Sequence, residues 1–136
     1  MKALIDTCII IDYLQMRQPF FADARDIVMS AAANHFDGFI TAKSATDIYY
    51  LMHRFFHDDK ITRKALSDLF ILFRVLDTAA PDCRLAILSS VVDYEDAVLA
   101  ETAIRTEMDC IVTRNLQDFN FSSVPVYSPH DFLNLL

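Results

Sequence analysis

The feature that most constrains the fold is the alternation of short apolar runs with longer segments of helical periodicity. The runs predicted as strands are residues 2–5, 39–41, 74–78, 110–113 and 124–127. The predicted helices are about 7–14, 19–34, 42–56, 61–73, 81–91 and 94–107, with a last helix that begins at Ser128-Pro129. Short apolar strands separated by helices indicate a parallel sheet covered on both faces. We therefore predict a single three-layer α/β/α domain over residues 1–136, with a central, mainly parallel sheet of four or five short strands.

Composition excludes several classes of protein. Gly38 is the only glycine, whereas a P-loop or a dinucleotide-binding fingerprint needs several. No apolar run reaches the roughly 18 residues of a membrane-spanning helix. The acid at position 6 comes too early for a signal peptide. Cys8, Cys83 and Cys110 are odd in number and lack metal-type spacing, which predicts reduced, buried thiols in a cytoplasmic protein.

Acidic and amide side chains follow the ends of the predicted strands. Asp6 directly follows the first strand, and Asp47 lies early in the helix after the second. Asp96 lies in the first turn of the helix that leads to the fourth strand, and Asn115 and Asp118 come after that strand. In an open parallel sheet, ligands bind beyond the carboxyl ends of the strands. These side chains therefore converge if the first and fourth strands are neighbours.

Each of these side chains also has a purely structural interpretation. Asp6 is placed to cap the first helix, and Asp93 and Asp96 have the spacing of a capping box. Asp47 suits a solvated helix face, and the polar residues after the fourth strand suit a turn and a cap. A ligand-binding site is favoured over separate structural roles because carboxylate and amide oxygens occur together at positions linked to the strand ends.

The chemistry of such a cluster indicates a divalent cation. Clustered carboxylates raise one another's pKa values, and a bound cation relieves this repulsion. Oxygen ligands without a His–Cys set favour Mg²⁺ or Mn²⁺ over Zn²⁺. Such a site suits phosphodiester hydrolysis. The net charge of −7 argues against broad attraction to nucleic acid, but it is compatible with a nuclease whose acids are concentrated in one pocket.

Two other kinds of aspartate-bearing parallel fold fit less well. A phosphoacceptor receiver domain needs a lysine after the last strand, and "PVYSPHDF" contains none. A haloacid-dehalogenase-type phosphatase needs Asp-x-Asp, but Asp6 is followed two residues later by Cys8. A catalytically weak or inactive binding module is a further alternative, and a metal titration would separate it from a nuclease.

Four segments resemble the PIN-domain family, in order and over almost the whole chain. They are "ALIDTCIIIDYL", "ITAKSATDIYYL", "DYEDAVLAETAIRTEMDCIVTRNLQDF" and "PVYSPHDFL". The resemblance implies a PIN-like fold and a small Mg²⁺- or Mn²⁺-dependent endoribonuclease that acts on RNA. It also implies a VapC-like toxin with an antitoxin protein as partner, although a housekeeping or orphan nuclease without an antitoxin is an alternative.

The resemblance also implies roles for individual residues. The catalytic positions are Asp6, Asp47, Asp96, Asn115 and Asp118, and the expected metal ligands among them are Asp6, Asp96 and Asp118. The expected substrate-binding residues are Thr7, Thr113, Arg114 and Lys43, with solvated surface as the alternative for both cations. Many relatives carry glutamate at the position of Asp47 and aspartate at that of Asn115, which puts tight binding of two metal ions in doubt.

The segment "DIYYLMHRFFHDDK" has more large apolar groups than one buried stripe can hold. Helical spacing predicts a core-facing stripe of Ile48, Leu51, Met52 and Phe55. Other faces of the helix would carry Tyr49, Tyr50, His53 and Phe56. Either the next helix covers them, or they line a groove for an antitoxin helix or a homodimer partner, as the resemblance implies.

Overall fold

The sheet of the computed structural model, which describes residues 1–120 and 122–136, is built as the alternation predicts. Its strands are β1 (Lys2–Ile5), β2 (Asp37–Thr41), β3 (Arg74–Leu76), β4 (Cys110–Val112) and β5 (Val126–Tyr127). Their order is β3-β2-β1-β4-β5, and every pairing is parallel. The predicted parallel α/β fold is thus confirmed. β1 lies between β2 and β4, so the first and fourth strands are neighbours.

Helices connect successive strands. They are α1 (Thr7–Leu14), α2 (Phe21–Ala32), α3 (Ala42–Phe56), α4 (Asp59–Leu72), α5 (Ala80–Ala86), α6 (Tyr94–Arg105) and α7 (Pro129–Leu133). A short 3-10 helix, Leu116–Phe119, follows β4. Serine at 128 caps α7 as its sequence predicts, since its hydroxyl accepts a 3.1 Å hydrogen bond from the Asp131 amide.

Several helix ends differ from the prediction by one to five residues, and two of these differences have a local cause. α4 begins at Asp59 instead of residue 61, because the Asp58 carboxylate caps it and accepts a 2.8 Å bond from the Ile61 amide. α5 ends at Ala86 instead of residue 91. The amides of the next residues bond carbonyls only three positions back, so the chain tightens into turns before α6.

The two faces of the sheet bury separate apolar clusters. Leu4 packs on one face with Phe39, Ile111 and Phe119, while Ile5 packs on the other with Ile9, Ile27, Ile40 and Phe132. The close packing explains why position 38 is a glycine. A Cβ there would lie 2.7 Å from the ring of Phe73. β1 is therefore a central strand that is packed on both faces, and Asp6 directly follows it.

The predicted core stripe of α3 is wrong at two of its four positions. Ile48 and Met52 are fully buried, but Leu51 is 36% exposed and Phe55 is 52% exposed. The buried row runs at i, i+4 from Ser44 through Ile48 to Met52. α3 thus presents a narrow stripe to the core and leaves large apolar side chains on its surface.

The three cysteines differ in environment and are all free thiols. Cys110 is buried and Cys8 is partly buried, but Cys83 is exposed, so the prediction of three buried thiols is wrong for Cys83. α5 turns Asp82 and Ala86 inward, and the position between them therefore faces outward. Across the described ranges, no helix combines the length and the apolar character needed to cross a membrane.

Candidate active site

Asp6 lies at the carboxyl end of β1, where the sheet topology reverses direction. Its amide donates a 3.0 Å hydrogen bond to the Val112 carbonyl of β4. Its carboxylate is 8% exposed and accepts a 2.7 Å bond from the Thr113 hydroxyl. The Cys8 thiol donates to the same oxygen at 3.2 Å. Asp6 occupies the N-cap position of α1, yet within the described part of the chain its side chain accepts no capping bond. The carboxylate is thus held by β4 and is not used as a cap.

Asp96 is brought towards Asp6 by the start of α6. The Asp93 carboxylate caps this helix and accepts a 3.1 Å bond from the Asp96 amide. Burial, followed by the charge of neighbouring carboxylates, raises the pKa of Asp96 to about 7. These neighbours, in decreasing order of effect, are Asp6, Asp93 and Asp118. The fold therefore brings Asp6 and Asp118 close enough to act on the pKa of Asp96, and it adds Asp93, whose spacing predicts only a cap.

Lys43 and Asp47 form a second group with Glu95. The Lys43 ammonium pairs with Asp47 one turn further along α3 and with the Glu95 carboxylate of α6 at 3.0 Å. Burial opposes the charged form, but hydrogen bonds to both carboxylates leave the pKa of Lys43 raised. Glu95 was not predicted as a site residue. Its contact with Lys43 joins α3 to α6, a proximity that sequence spacing does not reveal.

A cavity of about 280 Å³ is lined by Asp6 and Asp96 of the first group and by all three members of the second, while Asp93 and Asp118 lie outside its lining. The predicted residues that line it are Asp6, Thr7, Lys43, Asp47 and Asp96, and Glu95, Tyr50 and Thr78 also contribute. Thr113 is buried behind Asp6, and its hydroxyl also accepts a 3.0 Å bond from the amide of residue 115. Carboxylate and hydroxyl groups thus share the lining of this open cavity with apolar side chains such as Val98 and Leu99.

Two predicted residues after β4 have other surroundings. Arg114 pairs with Asp12 of α1, whose carboxyl side chain is 1% exposed, and its guanidinium lies 4.0 Å from the centroid of the Phe20 ring. Arg114 is thus engaged in an ion pair, and its contact with phosphate stays a prediction. The side chain of Asn115 is exposed and lies outside the residues that line the 280 Å³ cavity. Its backbone amide, through Thr113, is the part that supports the site.

The donor set fits Mg²⁺ or Mn²⁺ with retained water molecules. Among residues 1–120 and 122–136, no three acidic, His or Cys side chains are already arranged to hold a metal ion. Mg²⁺ keeps several waters and commonly binds through one or two carboxylates. The crowding that raises the pKa of Asp96 is the kind that a divalent cation relieves. Asp6 and Asp96, which line the same cavity, thus suit an open, hydrated site in which water completes the coordination.

Solved structures with this architecture include bacterial toxin–antitoxin complexes. A toxin–antitoxin complex from Klebsiella pneumoniae has a chain with 22% identity and a TM-score of 0.67, aligned over 93% of this chain and 97% of that one. DNA-bound VapBC from Salmonella typhimurium has a chain with 17% identity and a TM-score of 0.68, aligned over 95% of this chain and 98% of that one. FitAcB from Neisseria gonorrhoeae has a chain with 19% identity and a TM-score of 0.69, aligned over 94% of this chain and 98% of that one. At these identities the likeness establishes the fold.

No curated protein matches the sequence. The family model described as "PIN domain" matches residues 2–117, which include the β1 and β4 ends and the starts of α3 and α6 that form the site. With most of its length matched in this way, the chain belongs to the PIN-domain family.

Proposed function

We propose that this protein is a divalent-metal-dependent endoribonuclease that hydrolyses RNA phosphodiester bonds. The observation that supports this most strongly is the crowding of carboxylates around Asp96, whose pKa is raised to about 7 at the edge of an open cavity. Such crowding is costly for a fold unless a ligand uses it, and perturbed carboxylates in a cleft are typical of functional sites.

In this mechanism Asp6, Asp96 and Asp118 would hold the metal ion. When bound, Mg²⁺ or Mn²⁺ supplies a water of lowered pKa and neutralises charge on the leaving oxygen. Thr113 keeps one oxygen of Asp6 occupied by a hydrogen bond and so fixes the direction of the other. Thr7 contributes a hydroxyl from the first turn of α1 at the rim of the same cavity.

We further propose an antitoxin as partner and a homodimer as the free state. The named structural relatives are complexes of toxins with antitoxins. The surface of α3 and α4 carries large exposed apolar side chains, namely Tyr50, Phe55, Phe56, Ile61 and Phe70. An amphipathic helix of a partner could cover these groups, and this is a common mode of peptide recognition.

An inactive binding module is the second candidate. It is favoured by the ion pair that occupies Asp47 and by the position of Asn115 outside the cavity. It predicts a folded protein that binds a partner without metal and cleaves no RNA.

Cleavage of labelled RNA separates these candidates. We expect cleavage with Mg²⁺ or Mn²⁺, none with EDTA, and loss of most activity in Asp6→Asn. Asp68→Asn, which removes one charge from an exposed Lys64 pair on α4, is the matched control and should retain full activity. Absence of metal-dependent cleavage, or an Asp6→Asn variant as active as wild type, would refute the nuclease.

A further inference from the structure

The carboxylates in and around the cavity form two groups, which differ in whether a positive side chain balances their charge. Asp96 is surrounded by Asp6, Asp93 and Asp118, and all of these are acids. Asp47 and Glu95 instead share the ammonium of Lys43. Among residues 1–120 and 122–136, no ion pair balances the first group, whereas the second already contains an ammonium.

The contacts of Lys43 differ from those of an ordinary surface ion pair. An i, i+4 pair on one helix is usually exposed and independent of the rest of the fold. Lys43 is partly buried, bonds carboxylates from two different helices and lines the cavity. Its backbone amide is also anchored by a 3.3 Å bond to the Thr78 hydroxyl after β3.

The hydrogen-bonding capacity of the ammonium is also informative. Lysine has three N–H donors. Asp47 and Glu95 use two of them, so one donor remains for a further acceptor at the cavity that Lys43 lines. An ammonium held in this way offers a fixed positive charge to a phosphate oxygen, as a metal ion does.

We propose that Lys43 takes the place of a second metal ion, so that the site binds a single divalent cation at Asp6, Asp96 and Asp118. Asp47 then acts as a partner that positions the ammonium and does not bind metal. This inference rests on the proposed metal-dependent function and specifies how many ions it uses. It also accounts for aspartate at position 47, because a short side chain suffices to reach a lysine one helical turn away.

The test is the stoichiometry of Mn²⁺ binding, measured by calorimetry and by the electron paramagnetic resonance signal of free Mn²⁺. We expect one ion per wild-type chain. Lys43→Met should free Asp47 and Glu95 and create a second, weaker site, which Asp47→Asn in the same chain should abolish. Lys64→Met is the matched control because Lys64 makes the same i, i+4 contact, with Asp68, on an exposed surface. It should still bind one ion.

Each outcome decides the matter. Two ions in wild type, or one ion in both wild type and Lys43→Met, would overturn the role of Lys43 and leave the nuclease proposal standing. No ion in wild type would overturn both. If Lys43→Met fails to fold, Lys43→Arg and Asp47→Asn provide the test, since both are expected to bind one ion. A second ion in Lys43→Arg, or loss of the single ion in Asp47→Asn, would refute the inference.

Discussion

Replacing Asp96 by asparagine should stabilise the metal-free protein while it abolishes activity. The pKa of Asp96 rises from an ordinary 3.8 to about 7, chiefly through burial. A rise of this size corresponds to about 4 kcal/mol at ~1.36 kcal/mol per pKa unit. The side chain is partly exposed, and solvent screening reduces the expected effect to about 1–2 kcal/mol.

The stabilisation by Asp96→Asn should increase with pH. The folded protein binds the Asp96 proton more tightly than the unfolded chain does, so the penalty is absent below pH 3.8. It grows as the pH rises and is complete above the folded pKa of about 7. Asparagine cannot ionise, so the gain of Asp96→Asn over wild type should be greatest in alkaline buffer and should vanish near pH 4.

Urea denaturation in EDTA across this pH range measures the gain directly. Asp68→Asn controls for the loss of one negative charge and should change stability by less than about 0.5 kcal/mol. With Mn²⁺ at about 100 times its dissociation constant, wild type should gain roughly 2.7 kcal/mol and Asp96→Asn clearly less. An Asp96→Asn variant that is less stable than wild type in EDTA above pH 7 would refute the reasoning, because the carboxylate would then have a structural role.

Three other changes test neighbouring contacts. Thr113→Val removes the hydroxyl that holds Asp6, and it should cost about 1–3 kcal/mol in chemical denaturation and lower the cleavage rate. Arg114→Met leaves the Asp12 carboxylate buried without its main partner, and it should cost roughly 3–5 kcal/mol. Burial already raises the pKa of Asp12, so this loss should grow with increasing pH, and adding Asp12→Asn should recover part of it. In sedimentation, wild type should be a dimer and Phe55→Ser, at a side chain 52% exposed, should be largely monomeric.

Much of the fold could be predicted because its signals are local. β1 and α3 begin and end at the predicted residues. A short apolar run determines β1, and the hydroxyl of Thr41 caps the start of α3. The positions of Asp6 and Asp96 follow from the same logic. Once parallel strands are assigned, their carboxyl ends must meet at one edge of the sheet.

The rest depended on side chains that meet across the fold. Arg114 and Asp12 are separated by 102 positions, and both were compatible with solvent exposure in the sequence. Glu95 contacts Lys43 only because α3 and α6 start beside the same cavity. Apolar spacing alone could not decide that Leu51 would stay partly exposed, because the width of the buried stripe is set by what packs against α3.

If the proposed function holds, the charges of the site account for the action of a chain of net charge −7 on RNA. In the proposed nuclease, a phosphodiester that enters the metal-free cavity meets the carboxylates around Asp96, and the single charge of the Lys43 ammonium, which also bonds Asp47 and Glu95, does not balance them. The cation therefore contributes to substrate binding as well as to bond cleavage. Because the ligand carboxylates must be ionised to bind metal, protons compete with it as the pH falls below about 7. In the proposed nuclease, one titration would thus couple metal affinity, substrate affinity and the stability of the fold.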